Sequence, residues 1–221
     1  LSDPYSKDLN SDVQKELYVG EMPTAAEALK PEDTLVIHPE DNTTDFLKPI
    51  YEDQGWTIAK IKQKGLRIYD SQRSVLEYDM HNAKRVVMLG HGSDTGLLST
   101  GGYMVGDNHV NYLQGKENIY IWCNANKYVE KYDLRGFYTG MIISETVEAM
   151  FCNVDATEEQ VAVSNFLFAN AIRAALKTNS QLSLNDFNVV DRVKAMYYVK
   201  GNPVVDYNIE NLFYKSLKHY F

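Results

Sequence analysis

The sequence predicts an α/β domain of three layers, helix on sheet on helix, with a mostly parallel central sheet. Three observations carry this. Short apolar runs at 34–38 (TLVIH), 86–89 (VVML) and 119–122 (IYIW) are bounded by Gly or polar residues, as strands buried on both faces are. Helical patterns alternate with strands from Thr34 to Leu89, which implies parallel strands joined by right-handed crossovers. A segment after Thr157 is apolar on most faces, as expected of a helix laid against a sheet.

Taken in order, residues 1–33 are polar, with Pro4, Pro23 and Pro31, and read as an N-terminal arm with a short helix over 12–18. Residues 34–221 read as a single domain. The first strand is 34–38. A polar loop, PEDNTTD, leads to a helix over 45–54 with Phe46 and Ile50 on one face. Pro49 fits only near the start of that helix, because farther in it removes a needed N–H. Gly55 is a natural stop, and 56–61 is the second strand. Ser71 caps a helix reaching about 81, with Val75 and Leu76 facing in, and Lys84 and Arg85 lead to the strand at 86–89. Residues 97–99 and 103–105 flank Thr100, Gly101 and Gly102 as a small hairpin. Asp107 caps a short helix ending near Gly115, which delivers the chain to the strand at 119–122. A strand over 137–144 follows a polar loop. Thr157 and Gln160 have capping-box spacing and open a helix to about 177. A last strand at 195–199 and a closing helix over 208–219 complete the chain, with no internal repeat or low-complexity tract.

With 221 residues, 44% apolar and 24% charged, the composition is that of a globular domain with a sizeable core. The net charge of -8, without a dense Lys/Arg cluster, argues against a nucleic-acid partner. No apolar run reaches the length of a membrane span, and the start, LSDPYSKDLN, is polar rather than signal-like. Cys123 and Cys152 do not make a disulfide framework and read as reduced thiols of a cytoplasmic protein, or of a secreted or periplasmic one if a signal preceded this sequence. The 16 tyrosines are expected to line the core's edges and a groove.

Two of the apolar runs end in residues capable of chemistry. The strand at 86–89 runs into Gly90, His91 and Gly92, and the strand at 119–122 runs into Cys123. As parallel neighbours their carboxyl ends would share the sheet edge where open α/β sheets bind ligands. A thiol beside an imidazole is the minimal apparatus for nucleophilic catalysis. A Cys at the end of a buried strand is more often a small hydrophobe, but His91 between two glycines has little to pack against. The segment GHGSDTG is not a dinucleotide fingerprint, since its spacing differs from GxGxxG and a hairpin rather than a helix follows. No G-x-S-x-G elbow occurs. Neither CxxC nor HxxxH is present, and His109 and Cys152 would join His91 and Cys123 around zinc only through an arbitrary fold, so no metal is expected. His38, His81, His109 and His219 read as surface or edge residues.

The order strand, His-Gly, small hairpin, helix, strand and Cys, carried by VVMLGHGS and IYIWCNA, resembles the caspase-like fold shared by caspases, legumain, gingipains, clostripain and separase (clan CD). The resemblance covers about residues 34–176. It implies a cysteine peptidase in which His91 is the general base, Cys123 the nucleophile, and the N–H groups of Gly92 and Cys123 the oxyanion hole. It implies a peptide or protein substrate and no cofactor. It also implies that the loop after the first strand, with Glu40 and Asp41, helps form the pocket for the side chain before the cut bond, where their charge would favour Lys or Arg. Members commonly have a small residue before the Cys. Trp122 stands there in this chain, where its bulk would crowd the cleft or form its wall. Ser144 and Glu145, after the next strand, would line the same cleft. A caspase-like domain kept as a catalytically silent binding or scaffolding module, similar to CHAT-type domains, is the alternative.

Overall fold

The computed structural model describes residues 29–59, 70–177 and 189–216. The expected helix at 12–18 and the strand end at Ile61 lie outside them, as does the side chain of Ser71. The described strands are β1 (Thr34–Ile37), β2 (Thr57–Ile58), β3 (Arg85–Leu89), β4 (Gly92–Ser93), β5 (Gly96–Ser99), β6 (Gly102–Val105), β7 (Glu117–Ile121), β8 (Arg135–Thr139) and β9 (Leu212–Lys215). The α-helices are α1 (Asp70–Asn82), α2 (Val110–Leu113), α3 (Ala125–Lys131), α4 (Thr146–Phe151), α5 (Glu158–Lys177), α6 (Val189–Tyr197) and α7 (Pro203–Ile209).

Six strands form one sheet in the order β2-β1-β3-β7-β8-β9. All neighbours are parallel except β9, which runs antiparallel to β8. The α/β class and the mostly parallel sheet are as the sequence predicts. Alternation along the strands sorts the core into two halves. Val36, Val87, Leu89, Ile119, Ile121 and Phe137 pack with α5, α6 and the 3₁₀ helix Asn42–Ile50 on one face. Leu35, Ile37, Val86, Met88, Tyr120 and Trp122 pack with α1, α2, α3 and the β5–β6 hairpin on the other. Helices thus cover both faces, compatible with the expected three layers. The hairpin forms where the sequence places it, and β4 adds a third antiparallel strand to it.

Several elements differ from expectation for identifiable reasons. The segment after β1 is a 3₁₀ helix, Asn42–Ile50, with Pro49 near its end rather than an α-helix over 45–54. A proline at that point would clash with the carbonyl four residues back in α geometry, and it has no N–H to donate there. On α1, Leu76 and Met80 form the buried i, i+4 pair, while Val75 is turned out and 58% exposed. Residues 195–199 are not a strand. They lie in and just after α6, whose Val189, Val193 and Tyr197 are buried at i, i+4 spacing. The expected closing helix over 208–219 is replaced up to Lys215 by α7 and a strand, and its end at 217–219 lies outside the described residues. Asn202 accepts from the N–H groups of Val204 and Val205, Pro203 opens α7, and the chain then pairs with β8 as β9. The polar loop before β8 contains α3, and α4 follows that strand. The box at Thr157 is present in both directions: Gln160 Oε1 accepts from the Thr157 N–H at 2.9 Å and Thr157 Oγ1 accepts from the Gln160 N–H at 3.2 Å.

Candidate active site

Strand register sets the geometry of the site. β3 and β7 are adjacent and parallel, with Leu89 opposite Ile121. His91 and Cys123 each lie two positions beyond one of these partners, on neighbouring strand ends at one sheet edge. Successive side chains alternate between faces. Leu89 and Ile121 point to the α5 face, so the in-phase residues His91 and Cys123 start out toward that side and Trp122 toward the other. Accordingly the indole is 2% exposed, lies edge-on to Tyr120 and Tyr128, and donates its Nε1–H to the Ser93 carbonyl at 2.9 Å. Gly92 is the residue that accommodates it: a Cβ there would lie 2.1 Å from the indole ring.

Both chain turns at this edge are fixed by the backbone. Gly90 donates its N–H to the Ile121 carbonyl at 3.1 Å, and the His91 carbonyl accepts from Leu98 at 2.8 Å, which ties the turn to the hairpin. After Cys123 the chain enters α3 through Asn124, which is left-handed at φ 66° and donates its N–H to the Gly140 carbonyl at 3.0 Å. Asn is among the few residues that adopt this region readily.

His91 and Cys123 line one narrow cavity of about 20 Å³, with Thr44, Phe46, Leu47, Gly90, Ile121, Trp122, Ile142, Ser144 and Phe168. That is the room of about one water molecule. The imidazole and the thiol bond to other partners at rest. His91 Nε2 lies 2.6 Å from Thr43 Oγ1 and 3.9 Å from Asp41 Oδ2. The Cys123 thiol donates to the Ile142 carbonyl at 3.5 Å and sits 3.8 Å from Glu148 Oε1. Burial, reinforced by the Glu148 carboxylate, pushes the thiol up to about 12, so it is protonated at neutral pH.

Of the remaining sequence-predicted residues, Ser144 lines this cavity and Glu40, Asp41 and Glu145 do not. The Ser144 Oγ and N–H both donate to Glu148 Oε2, at 2.9 and 2.7 Å. Glu145 is the N-cap position of α4, and its N–H donates to the same oxygen at 3.1 Å. Glu40 and Asp41 line a separate, larger cleft of about 550 Å³ with His38, Asp45, Lys48 and Tyr51. The segment from Asp41 to Asp45 faces both spaces, since Thr44 borders the small cavity and Asp41 and Asp45 border the large one. His38, just past the end of β1, is an edge residue that is partly buried where it lines the large cleft. It is tied to Tyr51 Oη at 3.1 Å and Thr44 Oγ1 at 3.0 Å, and burial pushes its pKa from 6.5 to about 4.

Sequence reasoning missed Thr43, Ile142 and Glu148. Thr43 carries no signal by itself in PEDNTTD, and Glu148 is legible only as an acid three residues past the cap of a helix that the sequence did not reveal. No group of three or more His, Cys, Asp or Glu among the described residues could hold a metal ion. Among the described residues no helix is long and apolar enough to cross a membrane. Comparison of the chain with protein-family models, curated proteins and solved structures gives no significant match.

Proposed function

We propose that the chain is a cysteine endopeptidase of caspase-like fold, acting through Cys123 and His91. The observation that carries this reading is the paired register of Leu89 and Ile121, which brings His91 and Cys123 to adjacent strand ends and into one cavity. The Gly-His-Gly turn, the hairpin, the short helix α2 and the strand ending at Cys occur in the order the resemblance requires.

The protonated thiol defines how the reaction begins. With its pKa near 12 there is no standing thiolate, so His91 takes the proton as the sulfur–carbon bond forms. The carbonyl π bond opens to an oxyanion, held by the N–H groups of Gly92 and Cys123. Imidazolium returns the proton to the leaving amine as the carbon–nitrogen bond breaks. Water then attacks the thioester, giving its proton to His91, and the thiol is reprotonated as the acid leaves. The chemistry calls for no metal or organic cofactor. Glu40 and Asp41, at the large cleft, favour a Lys or Arg side chain before the cut bond, while Ser144 lines the small cavity with His91 and Cys123. Trp122 supports the oxyanion loop from behind through Gly92 rather than crowding the thiol. The substrate is a peptide or protein, and neither nucleic acid nor membrane is a partner.

A second reading has one observation in its favour: the thiol is occupied by Ile142, faced by a carboxylate and enclosed in a cavity of about 20 Å³. Those features also suit a silent CHAT-type module in which Cys123 is a packing residue. Incubating the protein with unfolded, alkylated casein and sequencing the fragments by mass spectrometry separates the two. The peptidase yields fragments ending in Lys or Arg that disappear in Cys123→Ala and in His91→Ala. No Cys123-dependent cleavage leaves the module.

A further inference from the structure

The hydrogen bonds around Thr43 fix which nitrogen of His91 is free. Thr43 Oγ1 lies 2.7 Å from Asp41 Oδ1 and 2.6 Å from His91 Nε2, and the Thr43 N–H donates to the same Asp41 oxygen at 3.0 Å. Two oxygens at 2.7 Å repel unless a hydrogen lies between them, and an ionised carboxylate brings none. Asp41 is held below the usual carboxylate range by the hydroxyl and the N–H of Thr43, so it is ionised and the bridging hydrogen is the hydroxyl's own. A hydroxyl has only one hydrogen. Thr43 Oγ1 therefore accepts from His91, and Nε2 carries the imidazole proton.

We propose that Asp41 and Thr43 are positioning residues that lock His91 in the Nε2–H tautomer and leave Nδ1 as the only lone pair available to a proton from the cavity. The relay belongs to one short structure: Asp41 is the N-cap of the 3₁₀ helix Asn42–Ile50, so the backbone turn that starts this helix also aims the hydroxyl. The adjoining pair Thr44 and His38 fastens the same turn, with Thr44 Oγ1 donating to the Asp41 carbonyl at 3.0 Å and accepting from His38 Nε2–H at 3.0 Å. Asp41 stabilises the imidazolium when His91 is charged, its second oxygen being 3.9 Å from Nε2. This assigns to Asp41 a role toward His91 in addition to any part in the large cleft, and to Thr43 a role no motif in the sequence marks.

The tautomer is a property of the resting protein, whereas its use in proton transfer rests on the peptidase reading. The test has one measurement for each. Long-range ¹H–¹⁵N correlation of the ¹⁵N-histidine-labelled chain, recorded at pH 8.5 where an ordinary imidazole is neutral, reports which nitrogen is protonated, with His91→Gln used to assign the signal. Expected is protonated Nε2 and unprotonated Nδ1 in the native chain and in Thr43→Ser, and a mixture of tautomers in Thr43→Val. A native spectrum showing Nδ1–H, or a Thr43→Val spectrum identical to native, overturns the proposal. The second measurement is the labelling rate of Cys123 by a lysyl chloromethyl ketone, expected to fall at least about tenfold in Thr43→Val and to recover in Thr43→Ser. Native Nε2–H with a labelling rate that ignores both Thr43 and His91 keeps the tautomer and refutes the peptidase reading instead.

Discussion

Glu148 places Oε1 3.8 Å from the Cys123 sulfur, while its Oε2 accepts from the Ser144 N–H, the Ser144 hydroxyl and the Glu145 N–H. One carboxylate therefore caps α4 and raises the pKa of the residue proposed to be the nucleophile. A charge held by three donors cannot swing away without uncapping the helix.

Removing that charge should expose the thiol's reactivity. In Glu148→Gln the amide oxygen can still accept from Ser144 and Glu145, while the negative charge beside Cys123 is gone. Burial, the larger cause of the raised pKa, remains. A drop of about one pKa unit is expected, and with it about a tenfold rise in iodoacetamide labelling of Cys123 at pH 8.5. Cys152→Ser serves as background. An unchanged rate would mean that burial alone sets the thiol.

His38 makes the fold sensitive to acid. Its folded pKa, near 4, lies below the unfolded 6.5, so between these values the unfolded chain binds the extra proton. Stability is complete above pH 6.5 and falls as pH drops toward 4. The 6.5-to-4 shift corresponds to a loss of about 3 kcal/mol at its lower end. Urea unfolding at pH 7 and pH 4.5 should show a steeper loss for the native chain than for His38→Gln, which cannot titrate. Parallel pH profiles would show that the shift is not realised.

Gly92→Ala tests the contact between the Gly90–Gly92 turn and Trp122. An alanine Cβ would meet the indole at 2.1 Å, and the ring, fully packed and hydrogen-bonded to Ser93, has no direction in which to yield. Overpacking of this kind costs about 1–3 kcal/mol. The double variant Gly92→Ala with Trp122→Phe should recover none of the lost Ser93 hydrogen bond but part of the packing, so its midpoint in urea should lie above that of Gly92→Ala with Trp122 intact.

Thr157→Ala removes the acceptor for the Gln160 N–H at the start of α5. A loss of about 1 kcal/mol is expected, read as a lower Tm, with no change in Cys123 labelling. A change in labelling would reveal coupling from this helix end to the site.

The sheet and its edge were legible because the strands are short apolar runs and each ends in a residue of a different kind. Period-2 alternation even holds the answer to the Trp122 question: Ile119, Ile121 and Cys123 share one phase, Tyr120 and Trp122 the other, so the indole begins on the opposite side from the thiol. What was not legible depends on partners distant in sequence. Residues 195–199 read as β-prone, yet Tyr197 is buried against Ser164 and Asn208, with its hydroxyl 2.6 Å from Ser164 Oγ, and the helix follows from that packing. Thr43 and Glu148 are ordinary polar residues until the fold brings them to His91 and Cys123, and no local pattern encodes such a meeting.

The most direct test of the paired His91 and Cys123 is a comparison of two reagents at one thiol. Iodoacetamide needs only the thiolate, whereas a lysyl chloromethyl ketone, on the proposed reading, also fills the cleft beside Glu40 and Asp41. A working pair requires slow iodoacetamide labelling of Cys123 at pH 7.5, as a thiol with a pKa near 12 dictates, and much faster labelling by the lysyl reagent that is lost in His91→Ala. Equal, slow rates for both reagents, unaffected by His91→Ala, would contradict it.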